Sequence, residues 1–258
     1  MATMKAYEQG VPNWVDLSTP DPEASKRFYR ALFGWEITEH ETGQPDAPYF
    51  MGRIGGRPAA GMMRQDPKQA EQGVPPMWSM YIAVDDAEAA TARAKKAGAQ
   101  VLVDPMDVMD EGRMSFVMDP TGAAVGFWEA KDHVGAEAVN EPGAFNWSEV
   151  VTNEPEKLDP FYAEVVGARF QAIEFGGSPY TAMQVGGRTV GGTMKPQQEG
   201  TPPHWHIYFQ VEDADAAAAT AKAEGGSVMA GPFDTPAGRI ALIRDPHGAM
   251  FSVIQPEG

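Results

Sequence analysis

Asn13-Trp14-Val15-Asp16-Leu17 returns 133 residues later as Asn146-Trp147-Ser148-Glu149-Val150, and this recurrence decides the fold. The match continues in order. Phe28-Tyr29 returns as Phe161-Tyr162, Gly55-Gly56-Arg57 as Gly186-Gly187-Arg188, and Trp78 with Tyr81 as Trp205 with Tyr208. Gly112-Arg113 returns as Gly238-Arg239, and Asp119-Pro120-x-Gly122 as Asp245-Pro246-x-Gly248. Ordered self-similarity with small drifts in offset is the mark of a duplicated unit with loop insertions. The chain therefore divides into a first domain over 1–130, a linker over 131–143 and a second domain over 144–258. The linker carries His133, Gly135, Pro142 and Gly143 and has no periodicity of its own.

Each copy contains the same pattern twice. Trp14–Thr19 predicts a strand, which Pro20-Asp21-Pro22 breaks. Phe28, Tyr29, Leu32 and Phe33 then recur at helical spacing until Gly34. Three short strands follow, over 36–41, 49–54 and 58–64. Met77–Val84 begins the second round, with a helix capped by Asp85 or Asp86 and strands over 101–103, 114–118 and 124–128. The expected fold class is α+β, with four βαβββ modules near 13–64, 77–128, 146–194 and 204–254. Four strands and one helix leave one sheet face bare. Pairing the modules bends eight strands into a mixed, cup-shaped sheet, so two cups are expected, each with a concave floor suited to a ligand.

Composition narrows the function. The 258 residues carry a net charge of −16, which argues against nucleic acid and anionic membranes as partners. With no cysteine there are no disulfides, thiolate metal sites or cysteine nucleophiles. Met1–Gly10 lacks an apolar run, and no stretch approaches the roughly 18 apolar residues of a membrane span. The expectation is a cytoplasmic protein with a small-molecule ligand. A tandem chain supplies its own pairing, so a monomer is expected.

Paired βαβββ units, the Phe-Tyr of the first helix and the Asp-Pro-x-Gly turn before the last strand resemble the vicinal oxygen chelate superfamily of glyoxalase I, bleomycin-resistance proteins and extradiol dioxygenases. Within it, the chain is similar to actinobacterial two-domain glyoxalase-like proteins, often labelled hydroxylases. The resemblance implies a divalent metal on the cup floor, with ligands from the first and last strands of each module. Carried over, those positions fall at Trp14 and about Gly61, at Ser79 and Gly126, at Trp147 and about Gly192, and at His206 and Ser252. Only His206 is a good ligand for a divalent cation. The resemblance thus predicts the cups without their usual metal, and no cofactor is expected.

Side chains two apart on a strand share a face. Trp14 with Asp16, Trp147 with Glu149, and His204 with His206 and Tyr208 therefore point alike. In two-domain relatives the first module often pairs with the fourth and the second with the third. That pairing places Trp14, Asp16, His204, His206 and Tyr208 in one cup, and Met77, Ser79, Tyr81, Trp147 and Glu149 in the other. Three readings of the first set compete: polar groups orienting an organic ligand stacked on Trp14, a metal site of His204, His206 and Asp16, or a satisfied core histidine with an exposed neighbour. The leading function is small-molecule binding, as in sequestering a metabolite or antibiotic. The alternative is a divergent lyase or oxygenase using His204 and His206, with or without a metal. Trp78 and Trp205 face away from the floor and are expected in the core. Arg113 and Arg239 are expected in salt bridges, Asp119 and Asp245 in turns, and the Gly-Gly-Arg pairs in hairpins.

Overall fold

The computed structural model describes residues 3–42 and 48–257. The first copy runs β1 (Pro12–Thr19), α1 (Pro22–Phe33), β2 (Glu36–His40), β3 (Tyr49–Ile54) and β4 (Arg57–Arg64). It continues through α2 (Pro67–Glu71), β5 (Met77–Ala83), α3 (Ala87–Lys96), β6 (Gln100–Val108), β7 (Gly112–Met118) and β8 (Ala124–Ala130). The second copy runs β9 (Phe145–Val151), α4 (Leu158–Val166), β10 (Arg169–Phe175), β11 (Ser178–Val185) and β12 (Arg188–Met194). Then come β13 (His204–Gln210), α5 (Ala214–Ala223), β14 (Ser227–Thr235), β15 (Gly238–Arg244) and β16 (Met250–Pro256). Local chemistry sets the ends. Asp21 accepts from the Ala24 amide to start α1, and Gly34 closes it at φ +70°. The hairpin glycines Gly55, Gly56, Gly186 and Gly187 all sit at positive φ, as the Gly-Gly-Arg spacing predicts. β6 runs longer than the strand expected over 101–103, because bulges carry it past Pro105, and its equivalent β14 is bulged in the same way around Pro232.

Each copy makes one eight-stranded mixed sheet, in the order β2-β3-β4-β1-β5-β8-β7-β6 and its equivalent β10-β11-β12-β9-β13-β16-β15-β14. The two first strands of each copy lie antiparallel at the centre, with Asp16 opposite Ser79 and Glu149 opposite His206. The expected cup pairing is therefore corrected: the first module pairs with the second and the third with the fourth. A short connection from β4 to β5 favours pairing between neighbours in sequence, whereas the 1–4 pairing needs strands to cross the whole chain.

The 1–4 and 2–3 partnerships do exist, but on the backs of the sheets. There α1 lies against α5 and α3 against α4. One continuous core joins Val15, Leu17, Met80 and Phe127 of the first sheet to Val150, Ile207, Phe209 and Phe251 of the second. Trp78 and Trp205 are buried in it, as their alternation predicts. Trp78 lies 5.1 Å, ring to ring, from Phe209 of the other copy. Two reciprocal bolts cross this seam. The Tyr29 hydroxyl donates to Asp245 Oδ2 at 3.1 Å, and the Tyr162 hydroxyl donates to Asp119 Oδ2 at 2.9 Å. Each aspartate uses its other oxygen for its own turn: Asp119 Oδ1 accepts from the Thr121 and Ala123 amides, and Asp245 Oδ1 from those of His247, Gly248 and Ala249. Trp78 and Trp205 donate in turn to the two tyrosine oxygens, each at 3.1 Å.

Candidate functional site

With Val15 and Leu17 in the core, Trp14 and Asp16 face the concave side of the first sheet. Three strands converge there. Tyr81 donates to Asp16 Oδ2 at 2.9 Å, Tyr49 approaches the same oxygen at 3.5 Å, and Trp14 Nε1 donates to the Tyr49 oxygen at 2.9 Å. The second cup repeats the arrangement. Tyr208 donates to Glu149 Oε2 at 2.6 Å, Tyr180 donates to Glu149 Oε1 at 2.7 Å, and Trp147 Nε1 donates to the Tyr180 oxygen at 3.2 Å. Each floor is thus a buried carboxylate held by two phenols, one of which is held by a tryptophan.

Tyr49 and Tyr180 escaped the sequence reading, because each reaches the floor from a third strand. A signal was available: both copies keep this tyrosine, and both keep the glycine it needs. A Cβ at Gly61 would come 1.7 Å from the Tyr49 hydroxyl, and one at Gly192 would come 1.9 Å from that of Tyr180. The phenols occupy the space a side chain at those positions would fill.

The electrostatics of the two floors differ. Burial pushes the Asp16 carboxyl up to about 7, against the opposing pull of its bonds from Tyr81 and Tyr49. Burial, then the nearby carboxylate, holds Tyr49, Tyr81, Tyr180 and Tyr208 above the ordinary phenol range, so all four remain neutral donors. In the second cup His206 takes the place of Ser79, and Ser252 that of Gly126; His206 Nε2 and Ser252 Oγ are 2.8 Å apart. Burial, and secondarily His204, pushes His206 down to about 3, leaving its ring neutral. His204 lies at the strand's edge, with Nδ1 2.9 Å from the Pro202 carbonyl oxygen.

Access differs as well. The linker plugs the first cup. Ala136 is fully buried on its floor, its amide bonded to the Asn13 carbonyl, and Tyr7 donates to the Ala136 carbonyl at 2.5 Å. The His133 ring stands edge-on to Trp14 at 4.5 Å, and Trp128 Nε1 donates to the His133 carbonyl at 2.8 Å. Trp14 is left 3% exposed. In the second cup Trp147 and Tyr180 are only half-buried. Phe175, 5.9 Å from Tyr180 ring to ring, and Phe233, opposite Ile240, are 43% and 47% exposed on its walls.

A sequence model of the Glyoxalase/Bleomycin resistance protein/Dioxygenase superfamily matches residues 11–127 and 144–253. The chain belongs to that superfamily. It is 45% identical over 258 residues, 99% of this chain and 98% of the relative, to a Mycobacterium tuberculosis protein named "Putative glyoxylase CFP32". It is 37% identical to the anthracycline biosynthesis protein DnrV of Streptomyces peucetius, covering 98% of this chain and 95% of that one. Among solved structures, the Mn(II)-bound glyoxalase from Novosphingobium aromaticivorans matches 96% of this chain and 82% of its own, with a TM-score of 0.66 at 16% identity. The 2,3-dioxygenase LapB from Pseudomonas sp. KL28 matches 98% and 94%, with a TM-score of 0.64 at 16% identity. These distant structures share the fold.

The ligand positions implied by the resemblance are occupied by Trp14, Gly61, Ser79 and Gly126 in the first sheet and by Trp147, Gly192, His206 and Ser252 in the second. Asp16 lies in one sheet and His204 and His206 in the other, so the structure does not assemble the expected His204, His206 and Asp16 triad. The carboxylate nearest His206 is Glu149, each of whose oxygens accepts from one phenol. Among the described residues no three histidine, aspartate or glutamate side chains are grouped to hold a cation. Of the nine side chains singled out from sequence, Trp14, Asp16, Ser79 and Tyr81 meet in the first cup, and Trp147, Glu149, His204, His206 and Tyr208 in the second. Arg113 pairs with Glu88 at 3.1 Å and Arg239 with Asp215 at 2.6 Å, as expected of them. No helix among the described residues is long and apolar enough to cross a membrane.

Proposed function

We propose that this chain is a small-molecule-binding member of its superfamily, working through the second cup and taking an apolar, ring-bearing metabolite or antibiotic without a divalent metal. One observation carries the reading: the half-buried Trp147 lies on a central strand over a satisfied polar floor, with exposed Phe175 and Phe233 on the two edge strands of the same sheet, while its counterpart Trp14 is covered by the linker. An apolar wall with a few fixed polar groups is the usual make-up of a ligand pocket. The anthracycline biosynthesis relative is named for a polycyclic aromatic product class, which is in keeping with a ring-walled cup.

The test is a titration with Nile red, a neutral polycyclic dye that brightens in apolar surroundings. The expected result is saturable binding of one dye per chain, unchanged after dialysis against a chelator and weakened when Phe175→Glu and Phe233→Glu are combined. Both residues are exposed, so the pair should leave the fold intact. Absence of saturable binding, or binding that needs a restored metal, would overturn the reading. A second reading, a lyase or oxygenase centred on His206, is favoured by its neutral ring, whose Nδ1 has no bonding partner among the described residues. It requires turnover that vanishes in His206→Ala.

A further inference from the structure

We propose that the second cup takes an organic cation, a protonated amine or comparable group on an apolar ring-bearing body, with Glu149 as its counter-charge. The inference rests on the binding role assigned to this cup and adds the class of ligand.

Glu149 is only 8% exposed, yet none of the ion pairs among the described residues includes it. Both its oxygens accept from neutral phenols. Four lone-pair sites are available on a carboxylate, and the tyrosines use two. A buried carboxylate without a cation is costly, and phenol dipoles offset only part of that cost. The other buried carboxylates are accounted for differently. Asp119 and Asp245 are committed to their turns and to the seam tyrosines, and Glu141 lies 2.7 Å from Arg57. Asp16 shares the phenol arrangement but lies under the linker plug.

The surroundings of Glu149 suit a cation. Tyr180 and Tyr208 meet Glu149 through their hydroxyls, Trp147 meets Tyr180, and Phe175 lies 5.9 Å from the Tyr180 ring, so the carboxylate sits in an aromatic neighbourhood, and aromatic faces attract cations. The neighbouring His206 is held neutral by its burial and adds no repelling charge. An anionic ligand would meet an uncompensated carboxylate at the floor. The net charge of −16 raises the local concentration of cations around the whole molecule.

The experiment compares Nile red with Nile blue, two dyes with one benzophenoxazine skeleton, the first neutral and the second cationic at neutral pH. Nile blue is expected to bind about tenfold or more tightly than Nile red to the wild-type chain, a difference of about 1.4 kcal/mol. The preference should persist in concentrated salt, since a buried charge is poorly screened. It should disappear in Glu149→Gln and return in Glu149→Asp. It should be unaffected by Glu174→Gln, which removes one exposed charge from β10. The wild-type comparison stands without any variant: equal or tighter binding of the neutral dye overturns the proposal while leaving the binding role intact. A preference that survives Glu149→Gln, or that is lost in salt or in Glu174→Gln, assigns it to the acidic surface and overturns the proposal as well. If neither dye binds, the binding role itself fails, and the inference with it.

Discussion

Replacing Asp16 by asparagine should make the protein more stable in alkali and barely alter it in acid. Asp16 is 3% exposed, and its burial raises its carboxyl from 3.8 in the free state to about 7 in the fold. Between those values the folded chain holds a proton that the unfolded chain has released. Stability from this group is therefore full below about 3.8 and is lost as the pH rises through about 7. The whole effect is on the order of 4 kcal/mol, taking about 1.36 kcal/mol for each unit of displacement. About 3 kcal/mol of it falls between pH 5 and 8.5. Asparagine has no proton to exchange and keeps an oxygen to accept from Tyr81 and Tyr49. His206 and His133 act with the opposite sign. Burial lowers them to about 3 and about 4, so their contributions are full above about 6.5 and are lost as the pH falls. Both histidines are present in either protein and cancel in the difference. The assay is urea unfolding of wild type and Asp16→Asn at matched pH values. The expected difference favours the variant by about 3 kcal/mol more at pH 8.5 than at pH 5. A difference that stays flat across this range, or a variant that is the less stable at pH 8.5, would refute the reasoning.

Two further predictions concern the phenols. Gly192→Ala should expel the Tyr180 hydroxyl, breaking its bond to Glu149 and depriving Trp147 of its acceptor, at a cost of about 2–3 kcal/mol. In a denaturant double-mutant cycle the cost should vanish once Tyr180→Leu has cleared the space; a cost that remains would place the obstacle elsewhere. Tyr29→Phe and Tyr162→Phe should each lose about 1.5–3 kcal/mol in unfolding experiments, since each strips a donor from a seam aspartate and an acceptor from a buried tryptophan. Losses within the scatter of ordinary surface substitutions would deny the bolts their role.

What the sequence made legible follows from where the information sits. The duplication, the four modules, the hairpin glycines and the outward tryptophans are local or periodic features, and each can be read along the chain. Asp16 and Glu149 were within reach because alternation alone assigns them to the floor beside Trp14 and Trp147. Tyr49 and Tyr180 were not, because membership of the floor depends on the register of β3 and β11 against their neighbours, and one step of slip would turn either ring to the other face. Module pairing failed for a related reason. Alternation tells which residues share a face of a strand but not which strand lies next to it. The resemblance supplied the correct partners, 1 with 4 and 2 with 3, and assigned them to the cups when they meet on the backs of the sheets. The plug escaped notice because a segment without periodicity gives no sign of what it covers; His133 and Ala136 acquire their role only from the position of Trp14.

The seam also bears on how two copies can come to differ. In a symmetric pair of identical chains, every change in a linker or floor residue appears twice, so any plug that seals one cup seals both. Here Tyr29 reaches Asp245 while Tyr162 reaches Asp119, so each copy completes its partner's turn, and the symmetric framework persists with both halves encoded in one chain. That encoding releases the cups from each other. One holds Ala136 and His133 from the stretch between the copies over its floor, while the other carries His206 and Ser252 where the first has Ser79 and Gly126. Division of labour between the halves became open to this chain once its symmetry was structural and no longer genetic.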